Sequence, residues 1–389
     1  MDLDRALAPT QGQPALGQVF SPRIKVIGLG GAGSNAVERM LAVGIPGVEY
    51  MVANTDCQAL ANCKAPTRIQ LGPQLTRGLG AGGQAAVGRE AATESRDALR
   101  SALSGAHLVF VAAGMGGGTG TGSAPVVASI ARELGALTVA VVTFPFSFEG
   151  ARRARTAQAG IKLLAEQTHT LIQVQNDGLL AIAPRDLRLD TAFRVADDVL
   201  RQGIQGIVEL VSHTGLINLD FANVSSVILR GGHALMAIGR GEGAGKVQEA
   251  ADAALHHPLL NNELLAKATA VLVHLTGGSD LPLQEISETM ALVTQAAHPT
   301  AEVLFGASED PEMEGKAQII LIAAGIHDQP RESIPVESLF GVPTPQEEDA
   351  FVTEECPAVR SILDVPAFLR RRERQRAETA REERVWATN

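Results

Sequence analysis

Three glycine-rich segments hold the residues of this chain whose types and spacing suit them to binding an anion. They are 28–33 (GLGGAG), 78–83 (GLGAGG) and 114–122 (GMGGGTGTG). Glycine allows backbone N–H groups to approach phosphate oxygens closely, and a helix that begins at such a loop adds donors and a partial positive charge. The hydroxyl groups of Thr119 and Thr121 can add further hydrogen bonds. The three segments therefore indicate a ligand that contains phosphate.

The first segment matches the G-x-G-x-x-G pattern of dinucleotide-binding folds, although a tight strand-to-helix turn would use the same glycines. A hydride-transfer enzyme needs one such loop, so three loops favour a nucleoside di- or triphosphate over a nicotinamide cofactor. The P-loop pattern is incomplete. Gly245 and Lys246 are not followed by Ser or Thr, and Arg240 occupies the position of the first glycine. We interpret these residues as a surface feature of a second domain.

The elements expected to position the loops alternate between strands and helices. Apolar runs predict strands at 24–28, 48–53, 67–71, 107–113 and 136–143, and helical spacing predicts helices at 35–43, 84–103 and 124–134. This order is typical of an α/β fold whose parallel sheet carries helices on both faces. The remaining predictions are a long helix at 191–211, strands at 226–230, 269–275, 301–305 and 317–323, and helices at 245–256 and 283–296.

Composition excludes several classes of protein. Glycine accounts for 40 of 389 residues without a Gly-X-Y period, which excludes collagen. A net charge of -10 and an aromatic content of 3% argue against nucleic-acid binding. No apolar run is long enough for a membrane span, and residues 1–21 lack the apolar region of a signal peptide, so we expect a cytoplasmic protein. Cys57, Cys63 and Cys356 are interpreted as free thiols with no metal site.

Several ordered segments resemble the tubulin/FtsZ superfamily, and FtsZ more closely than tubulin. The segment 114–122 resembles the GGGTGTG signature of that superfamily. The other segments are IKVIGLGGAGSNAVERM at 24–40, NTDCQAL at 54–60, FEGARR at 148–153, FRVADDVLRQGIQGI at 193–207 and GLINLDFANV at 215–224. The resemblance covers about residues 22–326 and resumes in the C-terminal tail.

The resemblance implies a Rossmann-like GTP-binding domain, a long core helix and a second α/β domain that activates hydrolysis. The corresponding segments are an N-terminal tail at 1–21, the GTP-binding domain at 22–190, the core helix at 191–212, the C-terminal domain at 213–326, a disordered linker at 327–360, and a partner-binding peptide with a basic tail at 361–389. The implied ligands are GTP or GDP, with Mg²⁺.

The same resemblance assigns nucleotide-binding residues by their position in the motifs. Glu149 and Arg153 would meet the ribose and phosphate region, Asn176 and Asp197 would read the guanine edge, and Phe193 would stack on the base, although core packing is the alternative for Phe193. The other positions are Gly30, Gly31, Ala32, Asn35, Asn54, Asp56, Gly80, Ala81, Gly82, Gly114, Gly116, Gly117, Gly118, Thr119, Gly120, Thr143 and Pro145.

Proteins of this family stack head to tail, and a loop of one subunit completes the hydrolytic site of the next. In this chain that catalytic loop holds Asn218, Asp220 and Asn223, where the family pattern has Asp at both of the last two positions. A carboxylate can take a proton from the attacking water, whereas an amide can only orient it. We therefore expect GTP binding and filament assembly with slow hydrolysis. The alternatives are that Asp220 carries the role alone, or that the chain is a structural subunit that polymerises or co-polymerises with another FtsZ.

Other departures from the family pattern lie in loops near the nucleotide and could alter its affinity. They are Phe144, Gln175, Gly178 and the run 83–85.

The segment 364–370 (DVPAFLR) resembles the peptide by which FtsZ docks membrane anchors and regulators of the division ring. The resemblance therefore implies a cytoplasmic protein at the division site.

Overall fold

The structure is a computed structural model. It describes residues 22–45, 47–180, 186–212, 217, 221–257, 260 and 262–326. The predictions for the N-terminal tail, for Asn218 and Asp220, for Cys356, and for the linker and tail after 326 lie outside these residues.

The first half of the chain alternates between strands and helices as predicted. Its strands are β1 (Ile24–Leu29), β2 (Val48–Asn54), β3 (Thr67–Gln70), β4 (Leu108–Gly114), β5 (Leu137–Phe144) and β6 (Thr170–Gln175). Its helices are α1 (Gly30–Val43), α2 (Cys57–Asn62), α3 (Pro73–Thr76), α4 (Ala85–Glu94), α5 (Arg96–Leu103), α6 (Thr119–Glu133), α7 (Ala151–Gln167) and α8 (Asn176–Leu180).

The second half begins with a long helix and continues with a mixture of strands and helices. Its helices are α9 (Leu189–Ser212), α10 (Phe221–Leu229), α11 (Lys246–Leu255), α12 (Asn262–Leu265) and α13 (Leu283–Ala296). Its strands are β7 (Gly232–Glu242), β8 (Ala270–Gly277), β9 (Glu302–Glu309) and β10 (Lys316–Ile326).

All these strands form one sheet of ten strands in the order β3-β2-β1-β4-β5-β6-β7-β10-β8-β9. Neighbouring strands are parallel except where β10 pairs with β7 and β8. Side chains of β1 alternate between two core clusters, with Ile24 and Val26 in one and Ile27 and Leu29 in the other. The sheet is therefore buried on both faces, which confirms the predicted α/β class.

The first six strands follow the doubly wound order 3-2-1-4-5-6. In this topology the chain direction across the sheet reverses between β1 and β4, and the loops that leave the carboxyl ends of these two strands diverge to opposite faces. A crevice opens at that point, and ligands of open α/β sheets bind in it. The segments 28–33 and 114–122 are the two loops that border this crevice.

The helix α9 spans 24 residues, which corresponds to a length of about 36 Å. Its buried residues recur at helical spacing, from Ala192 through Leu200 and Ile204 to Val208. Two glycines bring it close to the sheet, because a Cβ atom on Gly203 would lie 2.4 Å from Met236 Sδ and one on Gly206 would lie 2.6 Å from Ile320 Cδ1. One helix thus packs against strands of the second half while its first turns reach the crevice.

Two predicted elements were wrong. Residues 226–229 belong to helix α10, which ends at Leu229, and not to a strand, because Val224, Val227 and Ile228 are buried together at helical spacing. The predicted helix 84–103 is two helices separated at Ser95. The Ser95 hydroxyl accepts a hydrogen bond from Gly72 N and donates one to Gln70 O, which ties the junction to the end of β3 and to the segment after it.

Other observed element boundaries differ from the predicted ones, and some observed elements were not predicted. Helices α1 and α6 begin at Gly30 and Thr119, inside the glycine loops, several residues before their predicted starts. Helix α7 and strands β6 and β7 are the larger elements that the sequence patterns did not indicate.

Candidate functional site

A cleft of about 230 Å³ lies at the crevice between β1 and β4. Its walls come from the loops after these strands, from the segment after β5, from the start of α8 and from the second and third turns of α9. The lining residues are Leu29, Gly30, Gly31, Ala32, Gly114, Met115, Gly117, Gly118, Thr119, Gly120, Thr143, Pro145, Glu149, Arg153, Asn176, Phe193, Ala196 and Asp197.

Two helix N-termini open into this cleft without a cap from their own side chains. Leu29 precedes α1 and Gly118 precedes α6, and neither residue caps its helix through a side chain. Neither helix carries an acidic residue in its first turn. The first N–H groups of a helix have no intrahelical acceptor and carry partial positive charge. The two ends therefore present converging donors to an anion.

The glycines of the loops that border the cleft fall into two groups. At some of them a side chain would collide with the fold, since a Cβ atom on Gly33 would lie 2.3 Å from Ala112 O and one on Gly120 would lie 2.7 Å from Gly114 O. At Gly31 and Gly117 an added Cβ atom would meet no described atom within 4 Å, and neither residue has a positive φ. Packing and conformation do not require glycine at these two positions, so glycine there keeps the surface of the cleft bare.

The two threonines of the second loop have different roles. The Thr119 hydroxyl lies 2.6 Å from the Thr55 hydroxyl, and Thr119 itself lines the cleft. The Thr121 hydroxyl is buried and accepts a hydrogen bond of 2.8 Å from Gly116 N. The suggestion that Thr121 faces the ligand was therefore wrong, because this hydroxyl stabilises the loop from within.

The third glycine loop packs against the second. A Cβ atom on Gly118 would lie 2.8 Å from Ala81 Cβ, so the segments 78–83 and 114–122 are in contact. The loop is held to the segment before α2, where Gly80 N donates to Thr55 O at 3.1 Å and Cys57 N donates to Gly78 O at 3.1 Å. The structure thus brings together all three glycine loops predicted from the sequence.

A second, more open cleft of about 440 Å³ continues from the first along this contact. Gly117, Gly118, Glu149 and Arg153 line both clefts. The residues that line only the second cleft are Gly82, Gly83, Gly116, Arg152 and Thr156. A long ligand with terminal negative charge could extend from the first cleft towards these arginines.

Glu149 and Arg153 form an ion pair at the junction of the two clefts. Arg153 Nη1 lies 3.0 Å from Glu149 Oε2, and the other carboxylate oxygen accepts a hydrogen bond of 2.8 Å from Phe146 N. The Glu149 side chain is buried, whereas that of Arg153 is half exposed. The pair fixes the segment between β5 and α7 and leaves the guanidinium group free to turn towards a phosphate.

The opposite end of the cleft is built from Asn176 and Asp197. Asn176 is 5% exposed, and its Oδ1 atom is buried without a hydrogen-bond partner among the described residues. Asp197 is 7% exposed, and burial raises the pKa of its carboxyl to about 6, against the opposing effects of Arg39 and Asn35. A buried amide oxygen without a donor and a buried carboxylate suit a ligand edge with several N–H groups.

Phe193 belongs to an aromatic cluster beside this end. It is 38% exposed and lines the cleft, so it is not a core residue. Its ring meets Phe146 edge to face at 5.5 Å and Phe148 at 6.4 Å, while Phe146 and Phe148 stack at 5.0 Å. Because the rings support one another, Phe193 can offer an ordered apolar surface to a planar base.

The other predicted positions lie around the cleft and do not line it. Asn54 is buried and accepts a hydrogen bond from Asp56 N at 3.3 Å. The Asp56 carboxylate caps α2 by accepting from Gln58 N and Ala59 N. Asn35 is exposed on α1 beside Asp197. Gly80 and Ala81 belong to the third loop but line neither cleft.

Some residues of the site had not been found from the sequence. Arg39 lies 3.8 Å from Asp197 through Nη2 and Oδ2, and Phe146 and Phe148 support Phe193. An arginine in the middle of a helix has no local pattern that marks it as functional. The aromatic residues stand in FPFSF (144–148), where apolar alternation is equally typical of a strand end.

Three other predictions concern residues that line neither cleft. Asn223 lies exposed in the first turn of α10, and its carbonyl accepts a hydrogen bond of 2.7 Å from the Ser226 hydroxyl. Lys246 is buried and paired with Asp280, so the prediction that the incomplete P-loop motif lies on the surface was wrong. Cys57 and Cys63 are free, as predicted.

Within the described ranges no helix combines the length and apolarity that a membrane crossing requires. The same part of the chain contains no group of three or more His, Cys, Asp or Glu residues arranged to hold a metal ion.

Comparison with family models gives two matches. Residues 23–184 match the GTPase domain of the tubulin/FtsZ family, and residues 232–327 match the C-terminal domain of the FtsZ family. The first match contains the cleft, except for the residues contributed by α9.

Comparison with solved structures gives the same family. An FtsZ from M. jannaschii solved as an empty dimer is 40% identical, with a TM-score of 0.77 over 82% of this chain and 95% of that chain. A point mutant of M. jannaschii FtsZ is 43% identical, with a TM-score of 0.76 over 79% and 92%. CetZ2 from Haloferax volcanii, solved as a GTPγS-bound protofilament, shares the fold at 20% identity, with a TM-score of 0.68 over 85% and 98%.

Proposed function

This chain belongs to the FtsZ family of GTPases, and we propose that it binds GTP in the cleft between β1 and β4 and assembles head to tail into filaments of the bacterial division ring. The observation that carries the proposal is the chemical asymmetry of the cleft. One end has two uncapped helix N-termini over bare glycines, and the other has a buried amide and a buried carboxylate. Phosphates fit the first end and a purine fits the second.

At the base end, Asp197 and Asn176 distinguish guanine from adenine. The N1–H and N2–H₂ groups of guanine form a pair of adjacent donors that one ionised carboxylate accepts, whereas adenine has no such pair. The orphaned Asn176 Oδ1 accepts a further N–H, and Phe193 stacks on the ring. Leaving these buried acceptors unpaired costs about 1–3 kcal/mol each, so a ligand without matching donors binds more weakly.

At the phosphate end, the first turns of α1 and α6 hold the phosphates near β1 and β4. Arg153 reaches the terminal region, where the second cleft opens. No protein cage for a metal is required here, because Mg²⁺ commonly keeps several waters and binds to nucleotide phosphates. The ion would neutralise phosphate charge when bound, and the residues of this chain orient the nucleotide around it.

Hydrolysis requires a second copy of the chain. Asn223 is exposed on α10 and is absent from the lining of both clefts, so a residue at this position can act on a nucleotide only from a neighbouring subunit. Such a contact is heterologous and does not close, which produces a filament. Because Asn223 cannot accept a proton from water, we propose that turnover is slow and that Asp220 supplies the remaining carboxylate, with Asn218 as the third residue assigned to the catalytic loop.

A second candidate is a structural or regulatory subunit that binds GTP and polymerises, or co-polymerises with another FtsZ, with little hydrolysis. The neutral side chain at 223 favours it over a rapidly cycling enzyme. In either case we propose a cytoplasmic protein whose residues 364–370 dock membrane-anchor and regulator proteins. The domain limits proposed for the GTP-binding part, the core helix and the C-terminal part remain 22–190, 191–212 and 213–326.

One sample tests the proposal and separates the two candidates. The full chain is incubated with GTP, GDP or ATP, and sedimentation and phosphate release are measured together. We expect pellets with GTP, none with ATP, and slow release of phosphate from the pellet fraction. Pellets without measurable phosphate identify the structural subunit. Failure to bind guanine nucleotides, or equal pelleting with ATP, contradicts the proposed function.

A further inference from the structure

Arg39 is the cationic side chain of α1 that reaches the base end of the cleft from behind. It pairs with Asp197 but does not line the cleft itself. We infer that Arg39 is a positioning residue that holds the Asp197 carboxylate ionised and turned towards the nucleobase, and so sets the preference for bases with two adjacent N–H donors. This inference rests on the proposed function of the cleft as a guanine-nucleotide site.

The geometry of the pair is asymmetric. Arg39 Nη2 lies 3.8 Å from Asp197 Oδ2, with side-chain exposures of 34% and 10%. At this distance the guanidinium group attracts the carboxylate without occupying it in a tight, bidentate bond. The carboxylate therefore remains able to accept hydrogen bonds from a ligand. The Arg39 Nε atom is buried without a hydrogen-bond partner among the described residues, so no described acceptor engages the arginine through that atom.

Two side chains of α1 favour the ionised form of the Asp197 carboxyl, and the other effects on it disfavour that form. Burial is the largest effect and the neighbouring Asp198 acts in the same direction, while Arg39 and a hydrogen bond from Asn35 act against them. Asp198 is itself held by Arg201 on the same helix. From α8 the charged side chain is Asp177, whose carboxylate accepts from Ser147 N. Arg39 is thus the cation that pairs with this carboxylate among the described residues.

A comparison of guanine with hypoxanthine tests the effect of Arg39 on Asp197. Guanine offers N1–H and N2–H₂ to a carboxylate, whereas hypoxanthine lacks the 2-amino group and offers N1–H alone. A carboxylate that is ionised and correctly turned gains the second hydrogen bond only with guanine. A protonated or rotated carboxyl loses that bond, while contacts to phosphate and ribose are unaffected. Arg39 should therefore change the ratio of affinities for the two bases more than it changes binding in general.

The test measures dissociation constants of GDP and IDP for the full chain by calorimetry, from roughly pH 5 to pH 8, with ADP as a reference. Diphosphates are used so that hydrolysis does not intervene. The variants are Arg39→Met, which removes the charge, and Arg39→Lys, which keeps it. Arg96→Met is the matched control, because Arg96 pairs with Glu133 on the surface outside the cleft. Circular dichroism and melting curves check that each variant folds.

We expect Arg39→Met to lower the preference for GDP over IDP by about tenfold at neutral pH and to move the loss of that preference to a higher pH by about one unit. Arg39→Lys should retain most of the preference, and Arg96→Met should match the wild type.

If Arg39→Met weakens the binding of GDP and IDP equally, or changes neither, the inference is wrong while the nucleotide site stands. If the wild type does not distinguish GDP from ADP, the proposed function fails first. Should Arg39→Met not fold, a pH profile of Arg39→Lys identical to that of the wild type supports the inference, and a preference lost at every pH overturns it.

Discussion

The hydroxyl groups of Thr55 and Thr119 lie 2.6 Å apart and share one hydrogen bond. Thr55 is fully buried in the segment after β2, and Thr119 is the first residue of α6 and lines the cleft. Thr55 O also accepts the N–H of Gly80 in the third glycine loop. One buried residue therefore positions two of the three loops that surround the phosphate end of the cleft.

Thr55→Val should weaken nucleotide binding and stability together. Valine keeps the shape of the side chain but removes the hydroxyl partner of Thr119, at a cost of about 1–2 kcal/mol. We expect a lower urea midpoint and an increase of several-fold in the dissociation constant of GDP. Thr93→Val is the control, since the Thr93 hydroxyl bonds only to Arg89 O on the exposed face of α4. Equal effects of the two changes would contradict the role assigned to Thr55.

Gly117→Ala should weaken nucleotide binding without destabilising the fold, whereas Gly33→Ala should destabilise the fold. The added Cβ atom of Gly117→Ala enters open space in the cleft, so the apoprotein should melt normally while nucleotide affinity falls by at least about tenfold, as expected when a group stands where phosphate must approach. The Cβ atom of Gly33→Ala would lie 2.3 Å from Ala112 O, so this variant should be destabilised. Melting curves and GDP titrations of both variants check the pair. Normal GDP affinity in a folded Gly117→Ala variant would show that phosphate does not lie against this residue.

Asp197→Asn should make the apoprotein more stable at neutral pH and remove its preference for guanine. The folded pKa of Asp197 is raised to about 6 from 3.8. The folded state therefore holds this proton more tightly, and the associated stability is present below about pH 4 and is lost as the pH rises through 6. Replacing the carboxyl by an amide should restore on the order of 2 kcal/mol at neutral pH.

The difference in melting temperature between Asp197→Asn and the wild type should therefore be near zero in acid and should grow towards neutral pH. The amide donates an N–H where the carboxylate accepted one, so xanthine, which carries an oxygen in place of the 2-amino group, should compete with guanine in the variant. Thermal melts against pH and competition between GDP and XDP measure both effects. A melting difference that does not depend on pH would mean that the carboxyl is not strained by burial.

Asn223→Asp should accelerate GTP hydrolysis in assembled filaments. A general base at this position can contribute about 10²–10⁴-fold to the rate. Because Asn223 is exposed and lines neither cleft of its own subunit, the change should leave GDP affinity and the melting temperature of the monomer unchanged. Phosphate release per pelleted subunit is the measurement. Hydrolysis that is already fast in the wild type, and is not changed by Asn223→Asp, would falsify the proposal of slow turnover.

The loops could be predicted because their signal is local. A glycine run between an apolar strand and a helix is visible in a few residues, and the doubly wound order then requires the ends of β1 and β4 to meet. Asp197 and Phe193 were placed by resemblance, and both lie in the cleft because four residues bring side chains to the same face of a helix.

The elements and residues that were missed depend on contacts between distant parts of the chain. The segment predicted as a strand at 226–230 contains the β-branched residues Val227 and Ile228, and its helical state follows from the burial of Val224 with these two residues. Arg39 and Asp197 are far apart in the sequence, and only the packing of α1 against α9 brings them together. The inward turn of the Thr121 hydroxyl likewise depends on the final shape of the loop.

The uncapped starts of α1 and α6 also make the ligand part of the thermodynamics of folding. Without an anion these donors are left to solvent, and the buried Asp197 carboxylate and Asn176 oxygen add unfavourable terms. A ligand that binds only the folded state stabilises it by about 4 kcal/mol at a thousand times its dissociation constant. The free energy of unfolding of this chain should therefore increase with the concentration of its nucleotide. Depletion of the nucleotide should make the protein more susceptible to proteolysis without any change in its sequence.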